Sequence, residues 1–111
     1  HLRYADMADG LVLYPHFQAT VVPGWLDKAL RHRHGATARL SNVVLLVPDA
    51  QWVRDRLPNG KLPDRGDFKA YGERVADRRR DWARAVAESA RLADEFAALV
   101  RRPSIEALPL P

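Results

Sequence analysis

Histidines are the first side chains of this sequence that could do chemistry. His32 and His34 form a His-x-His pair, a spacing found in metal sites, but Arg31 and Arg33 would repel a cation there. No acidic residue and no third histidine lies near the pair in the sequence. We therefore expect a solvated loop here and no metal site.

A single histidine, His16, lies between Pro15 and Phe17 at the carboxyl end of a predicted strand. Active sites of α/β proteins lie at the carboxyl ends of strands, which makes His16 a candidate for contacting a substrate. The alternative is a packed or hydrogen-bonded histidine with a structural role.

Two pairs of carboxylates are spaced three residues apart, Asp6 with Asp9 and Asp64 with Asp67. Acid–base chemistry would need the two carboxylates of a pair to converge, yet both pairs lie in segments predicted as turn or loop. Helix capping accounts for the second pair. The neighbouring positions 59–61, Asn-Gly-Lys, lack the first glycine and the Ser or Thr of a phosphate loop, so we predict a plain turn.

No residue of this sequence has the context of a catalytic nucleophile. Cysteine is absent, which excludes a thiol nucleophile, disulfides, cysteine zinc sites and iron–sulfur clusters. The three serines, Ser41, Ser89 and Ser104, do not lie in a G-x-S-x-G turn. We expect no catalytic residue and no cofactor site within these residues.

The charge pattern does not favour nucleic acid as a partner. The 111 residues contain 18 Lys and Arg against 14 Asp and Glu, a net charge of +4, and the two signs are interspersed. Three arginines at positions 78–80 beside Trp82 would suit a phosphate, but Asp77 and Asp81 bracket them. Ion pairing on a solvated helix face is therefore the preferred interpretation, although contact with lipid headgroups stays open.

No apolar run is long enough to cross a bilayer, and we expect no signal peptide. The sequence thus predicts a cytoplasmic protein.

Two apolar runs predict short parallel strands at about 11–14 and 43–47, connected by a short crossover helix that begins near Trp25. The second run does not alternate, which is typical of a strand buried on both faces. Asp49 is a predicted cap for a short helix that carries Trp52. The fold class is therefore α/β. Two strands are too few for an independent sheet. Either further strands lie in residues 1–9 and 17–22, or the chain completes a larger sheet, which is the alternative we prefer.

The proline-free stretch from about 67 to 102 predicts one long helix, or two abutting ones with a kink at Gly72. Its apolar stripe recurs every seven residues, at Phe68, Val75, Trp82, Ser89 and Phe96, and Ser89 is the interruption among these positions. Pro103 ends the helix. We expect residues 1–102 to form a single α/β segment, the C-terminal part of a larger domain, followed by a proline-rich tail at 103–111.

Three blocks of the sequence resemble a known family. They are GLVLYPHF at 10–17 continuing to VPGWLDK at 22–28, NVVLLVP at 42–48 followed by LPNGKLPDRGDF at 57–68, and ESARLADEF at 88–96. Together they resemble the C-terminal region of bacterial patatin-like phospholipases, over nearly the whole chain. The resemblance implies an α/β serine acyl hydrolase with a Ser–Asp dyad.

The family's defining motifs, G-x-S-x-G and D-G-G or D-G-A, are missing from these residues, and Asp9-Gly10 is followed by Leu11 where the family has a small residue. No catalytic residue is carried over. The resemblance implies a segment of a lipid acyl hydrolase that lacks the nucleophile, with His16 and Trp25 near the acyl site and a lipid or acyl ester as substrate.

The alternative hypothesis is a small non-enzymatic α/β interaction module. Its long helix would pair with a partner or with a second copy of the chain, because the broad apolar stripe needs covering.

Overall fold

The computed structural model describes residues 10–104, 106 and 108–110, which divide into two compact units. The first unit contains the described residues up to Val47 and those from Glu106 onwards. The second begins at Pro48 and includes the long helix. The predicted pair Asp6 and Asp9 lies outside the described residues, as do residues 1–9 as a whole.

The first unit contains a parallel pair of strands, β1 (Val12–Pro15) and β2 (Val43–Leu46), in register with Val12 opposite Val43. Both predicted strands and their parallel pairing are confirmed, with bounds that differ by one residue. Side chains of β1 alternate between half-buried and exposed, whereas all four residues of β2 are half-buried. The expected full burial of β2 is not reached, because the described part of the chain forms a sheet of two strands only.

Three 3₁₀ helices connect the strands, at Trp25–Ala29, Arg31–Arg33 and Ala38–Leu40. The predicted crossover helix is therefore present as 3₁₀ turns and not as an α-helix. Trp25 and Leu26 are 78% and 82% exposed, so no packing supports a longer helix here. Residues 17–22 form no strand, which removes that part of the sequence-based alternative.

In the second unit, α1 (Ala50–Arg56) begins after Asp49, whose carboxylate accepts a 2.8 Å hydrogen bond from the backbone N–H of Trp52. The predicted cap is confirmed. A turn at Pro58–Gly60 follows, in which Asn59 and Gly60 have φ angles of 60° and 62°. This is the plain turn that the sequence predicts at 59–61.

The long helical stretch consists of α2 (Gly66–Tyr71) and α3 (Val75–Arg101). The predicted long C-terminal helix is confirmed as α3, and α2 precedes it, as in the alternative of two abutting helices. Gly72 separates them at φ 52° and ψ −123°, a conformation that residues with a Cβ rarely adopt. Tyr71 and Ala85 are buried where α2 and α3 meet the preceding loop.

Along α3, the predicted ion pair between Asp77 and Arg80 is present at 3.0 Å. Val86 is 72% exposed and Phe96 43%, so part of the apolar stripe is uncovered by the described residues. The described helices include none with the length and apolar character needed to cross a membrane.

Candidate functional site

The densest group of polar side chains in the second unit is formed where the loop after α1 contacts α2 and α3. We call it the Asp67 cluster; its members are Asn59, Lys61, Asp64, Asp67, Tyr71, Asp81 and Trp82. Five of these seven residues lie between positions 59 and 71, and α3 supplies the other two. The cluster therefore joins three successive segments of the chain.

Asp67 is the buried centre of this cluster, with 4% of its surface exposed. Its Oδ1 lies 2.7 Å from Nζ of Lys61, and its Oδ2 accepts hydrogen bonds from Nε1 of Trp82 at 2.9 Å and from the backbone N–H of Asp64 at 3.2 Å. Both carboxylate oxygens are thus engaged. The burial of this charge is compensated by a cation and two neutral donors.

The ammonium of Lys61 is fully hydrogen-bonded, as is the carboxylate of Asp67. This ammonium has three N–H donors, and three acceptors surround it: Asp67 at 2.7 Å, Asp64 at 3.0 Å and the carbonyl of Leu62 at 3.0 Å. Partial burial lowers the pKa of Lys61, but the hydrogen bonds to the two aspartates outweigh it and leave the pKa raised. A fully bonded ammonium with a raised pKa is not a nucleophile.

Hydrogen bonding to Lys61 also lowers the pKa of Asp64 and of Asp67, although burial opposes this effect at both carboxyls. The backbone N–H of Gly66, 2.6 Å from Oδ1 of Asp64, lowers the pKa of Asp64 further. Both groups are therefore carboxylates at neutral pH. The predicted capping role is not observed: α2 begins after Arg65 without a side-chain cap, while Asp64 accepts from the backbone N–H of Gly66 and the Asp67 side chain turns toward Lys61 and Trp82.

Tyr71 forms the second half of the cluster. Its hydroxyl donates to Oδ2 of Asp81 at 2.7 Å and accepts from Nδ2 of Asn59 at 2.6 Å. The hydrogen bond to Asp81, together with burial, raises the pKa of Tyr71 above its usual value. The turn at Asn59 is in this way tied to α3 through a tyrosine of α2.

An aromatic pair lies beside the carboxylate. Phe68 and Trp82 meet edge to face with ring centroids 5.6 Å apart, and the guanidinium of Arg78 lies 4.0 Å from the Phe68 centroid. Of the three consecutive arginines, Arg80 forms the predicted pair with Asp77 at 3.0 Å and a further pair with Asp81 at 3.4 Å, whereas Arg78 covers an aromatic ring. Ion pairing thus accounts for the position of the Arg80 side chain, and a cation–π contact accounts for that of Arg78.

The cavity enclosed by the Asp67 cluster is only about 10 Å³, room for no more than a water molecule. Its one ammonium and three carboxylates form ion pairs and hydrogen bonds with one another, with Arg80 and with neutral donors of the same unit. The hydrogen bonds and ion pairs of the cluster therefore have a structural role: they hold the loop 59–66 against α2 and α3.

The two residues predicted to contact a substrate lie in the first unit. His16 follows β1 and is half-buried; its ring stacks on Tyr14 with centroids 5.2 Å apart and meets Phe17 in a tilted contact with centroids 4.3 Å apart. Trp25 is exposed at the start of the first 3₁₀ helix, and no ring contact or hydrogen bond among the described residues joins it to His16. Their role in binding a substrate stays a prediction.

A larger cavity of about 500 Å³ lies among the 3₁₀ helices of the first unit, within the range of small-molecule sites. Its walls combine apolar residues with three basic side chains and one carboxylate: Val21, Leu40, His32, Arg33, Arg39 and Asp27. Neither His16 nor Trp25 lines it.

The predicted His-x-His loop is exposed at His32, while Nε2 of His34 lies 2.8 Å from the carbonyl of Asp27. Arg33 pairs with the carboxylate of Asp27 at 2.7 Å. Within the part of the chain that the structure describes, no group of three His, Asp or Glu side chains is placed to hold a metal ion.

Sequence reasoning missed the link between Asp67 and Trp82, which are fifteen positions apart. The available signal was the spacing of Lys61, Asp64 and Asp67 before an aromatic-rich helix, because a lysine between turn residues and two nearby carboxylates suits an ion pair. That spacing does not say which carboxylate is buried. Comparison of the chain with protein-family models, curated proteins and solved structures found no match.

Proposed function

We propose that this chain is a non-catalytic α/β segment of a patatin-like lipid acyl hydrolase, which docks on the remainder of that enzyme and helps to shape its acyl site. The observation that carries the proposal is that the parallel sheet exposes leucines on one face. Leu13 in β1 and Leu11 just before it are 47% and 71% exposed, and they lie on the same face because alternate residues of a strand do.

Parallel sheets are normally covered on both faces, and a sheet of two strands is rarely stable by itself. Exposed leucines along β1, with Phe17 beyond it at 65% exposure, are what an α/β segment leaves open when the covering elements belong to other residues. A complete small domain would bury them. The open sheet thus supports a segment that completes a larger fold.

The chemistry of the proposed enzyme would reside in the remainder of the protein. A serine there would attack the ester carbonyl, an aspartate would act as base, and backbone N–H groups would stabilise the oxyanion. Trp25, exposed and placed in a turn, would contact the acyl chain or the lipid surface. The cytoplasmic location expected from the sequence belongs to the same proposal.

A second candidate, a non-enzymatic interaction module, is favoured by apolar surface along α3. An apolar groove of about 180 Å³ lies between α3 and the preceding segment, lined by Trp52, Leu62 and Val86, and Phe96 and Val100 are exposed further along the helix. Such a surface fits a partner helix or a second copy of the chain.

The decisive experiment compares the purified chain with the longer gene product that we propose contains it. A fluorophosphonate probe, which labels activated serines, should leave the 111-residue chain unlabelled, and the chain should not hydrolyse p-nitrophenyl butyrate. The longer product should be labelled at a serine in G-x-S-x-G and should hydrolyse the ester. Turnover or labelling of the isolated chain would overturn the proposal, as would a longer product without an activated serine.

The role of Trp25 is tested in the longer product with Trp25→Ala. We expect KM for long-chain esters to rise several-fold while kcat for a short-chain ester is unchanged. Val100→Ala, at an apolar site on α3 that is 63% exposed against 78% for Trp25, is the control and should change neither value. Equal effects of the two variants would contradict the role.

A further inference from the structure

The two edges of the β1–β2 sheet differ in the backbone hydrogen-bonding groups that they present to a neighbouring strand. Their register is set by hydrogen bonds of 2.8 Å from the N–H of Val12 to the carbonyl of Asn42 and from the N–H of His16 to the carbonyl of Leu46. In a parallel ladder, alternate residues direct both backbone groups to the same side of the strand.

It follows that Val12 and Tyr14 direct their backbone groups toward β2, and that Leu13 and Pro15 direct theirs to the outer edge of β1. Pro15 has no N–H, so this outer edge has a single donor within the strand, that of Leu13. Proline within a strand is found on sheet edges, where it discourages pairing with another chain. Pro15 marks β1 as a terminal strand.

The outer edge of β2 has no such block. Val44 and Leu46 direct their backbone groups toward β1, so Val43 and Leu45 direct theirs outward, each with an N–H and a carbonyl. None of the described residues makes a backbone hydrogen bond to these outward groups. The side chains of β2 are half-buried on both faces, as expected of a strand inside a sheet and unlike the alternating pattern of β1.

We propose that β2 is an interior strand of a larger sheet and that the outward backbone groups of Val43 and Leu45 bind an extended, apolar strand of the remainder of the same polypeptide. β1 is then the last strand of that sheet. This inference rests on the docking part of the proposed function and is independent of its ester chemistry.

The remainder of the polypeptide fits this edge better than a second copy of the chain. A second copy would pair β2 with β2 and leave the Leu11 and Leu13 face exposed. The rest of an α/β domain supplies both the missing strand and the helices that cover such a face.

Hydrogen–deuterium exchange of single amides tests this directly. In the isolated chain the amides of Val43 and Leu45 should exchange rapidly, whereas those of Val44 and Leu46 are protected by β1 and serve as the internal control. In the longer gene product all four should be protected to a similar degree. Rapid exchange of Val43 and Leu45 in the longer product would overturn the inference. Protection of these two amides in the isolated chain would also overturn it, because it indicates a second copy if it grows with concentration and another segment of the same 111 residues if it does not.

A matched pair of proline variants gives a second measurement. Leu45→Pro and Leu13→Pro each remove one outward N–H from a four-residue strand and leave the β1–β2 ladder its own bonds. In the longer product, Leu45→Pro should lower the yield of folded protein at least tenfold, and Leu13→Pro should leave that yield unchanged. Equal tolerance of both, or the reverse order, would contradict the assignment of the edges.

The exchange and labelling experiments separate the two proposals. If Val43 and Leu45 are protected in the longer product but no serine reacts with the fluorophosphonate, strand addition stands and the hydrolase is wrong. If a serine reacts but the two amides exchange freely, the hydrolase stands and the edge assignment is wrong.

Discussion

Nε1 of Trp82 donates a 2.9 Å hydrogen bond to Oδ2 of Asp67, a carboxylate with 4% of its surface exposed. The other oxygen of the same carboxylate binds Lys61 at 2.7 Å. One buried charge thereby connects the loop after α1, the first turn of α2 and the N-terminal third of α3. The stability of this unit should depend on that charge more than on any exposed ion pair.

Replacing the buried carboxylate by an amide tests this dependence. Asparagine has one acceptor oxygen where Asp67 uses two, so in Asp67→Asn either Lys61 or Trp82 loses its acceptor and faces an N–H₂ group. We expect the free energy of unfolding to fall by about 1–3 kcal/mol, the cost of leaving a buried polar group unsatisfied. Urea unfolding followed by tryptophan fluorescence measures it.

Asp64→Asn is the matched control, because Asp64 binds the same ammonium but its side chain is 61% exposed. Its effect should be clearly smaller. An Asp67→Asn variant no less stable than Asp64→Asn would show that burial of the carboxylate is unimportant.

Acid should weaken the second unit through the same carboxylates. The pKa of Asp67 and that of Asp64 are lowered in the folded protein from the usual value of 3.8, so the folded state favours their charged forms. Their contribution is present above pH 3.8 and is lost as the pH falls through the folded-state pKa values. The urea midpoint should therefore decline below about pH 4, and it should decline less in Asp67→Asn, whose side chain does not titrate. Parallel declines in the two proteins would contradict the assignment.

At alkaline pH the hydroxyl of Tyr71 should reveal its bond to Asp81. The pKa of Tyr71 is raised above 10.0. Subtracting the absorbance titration of Tyr71→Phe from that of the unmodified protein isolates the tyrosinate signal of Tyr71. This signal should have its midpoint above pH 10.0. A raised pKa adds stability that is present below pH 10.0 and is lost as the pH rises through the folded-state value. In Asp81→Asn the midpoint should move back down, and an unchanged midpoint there would exclude Asp81 as the cause.

The junction between α2 and α3 should depend on glycine. Gly72 has φ 52° and ψ −123°, and a Cβ added there would meet no atom within 4 Å, so the cost of Gly72→Ala is conformational. We expect a loss of about 1–3 kcal/mol in the free energy of unfolding, the usual strain for such a backbone conformation. Gly10→Ala, where a Cβ also meets no atom within 4 Å and φ is not positive, is the control and should be close to neutral. Equal stabilities of the two variants would show that α2 and α3 join without strain.

Local features of this protein could be predicted from the sequence because their causes are local. The cap at Asp49 needs only a carboxylate three residues before a backbone N–H, and the strand at Val43–Leu46 follows from a run of apolar residues that begins with two β-branched valines. The parallel pairing followed from two such runs with a long connection between them. Gly72 was identified as a break for the same kind of reason, since glycine alone tolerates its backbone angles.

The role of Asp67 could not be predicted in this way. Asp64 and Asp67 have the same side chain and are three positions apart, yet only Asp67 is buried. The difference arises because Trp82, fifteen positions away, and the nearby Lys61 both converge on Asp67 when the loop folds back on the helices. Similarly, Pro15 in the sequence only marks the end of an apolar run. It becomes a blocked sheet edge once the register directs its nitrogen away from β2.

By itself, then, the sequence determined the fold class, the two strands, the capped helix and the absence of a cysteine or a serine-elbow nucleophile, because these depend on residue type and short-range spacing. Tertiary structure alone decided which carboxylate is buried, that the crossover consists of 3₁₀ turns, and which strand edge is open for a further strand. Those features depend on which side chains meet across the fold and on which side of a strand each backbone N–H points, and both are settled only when distant segments pack.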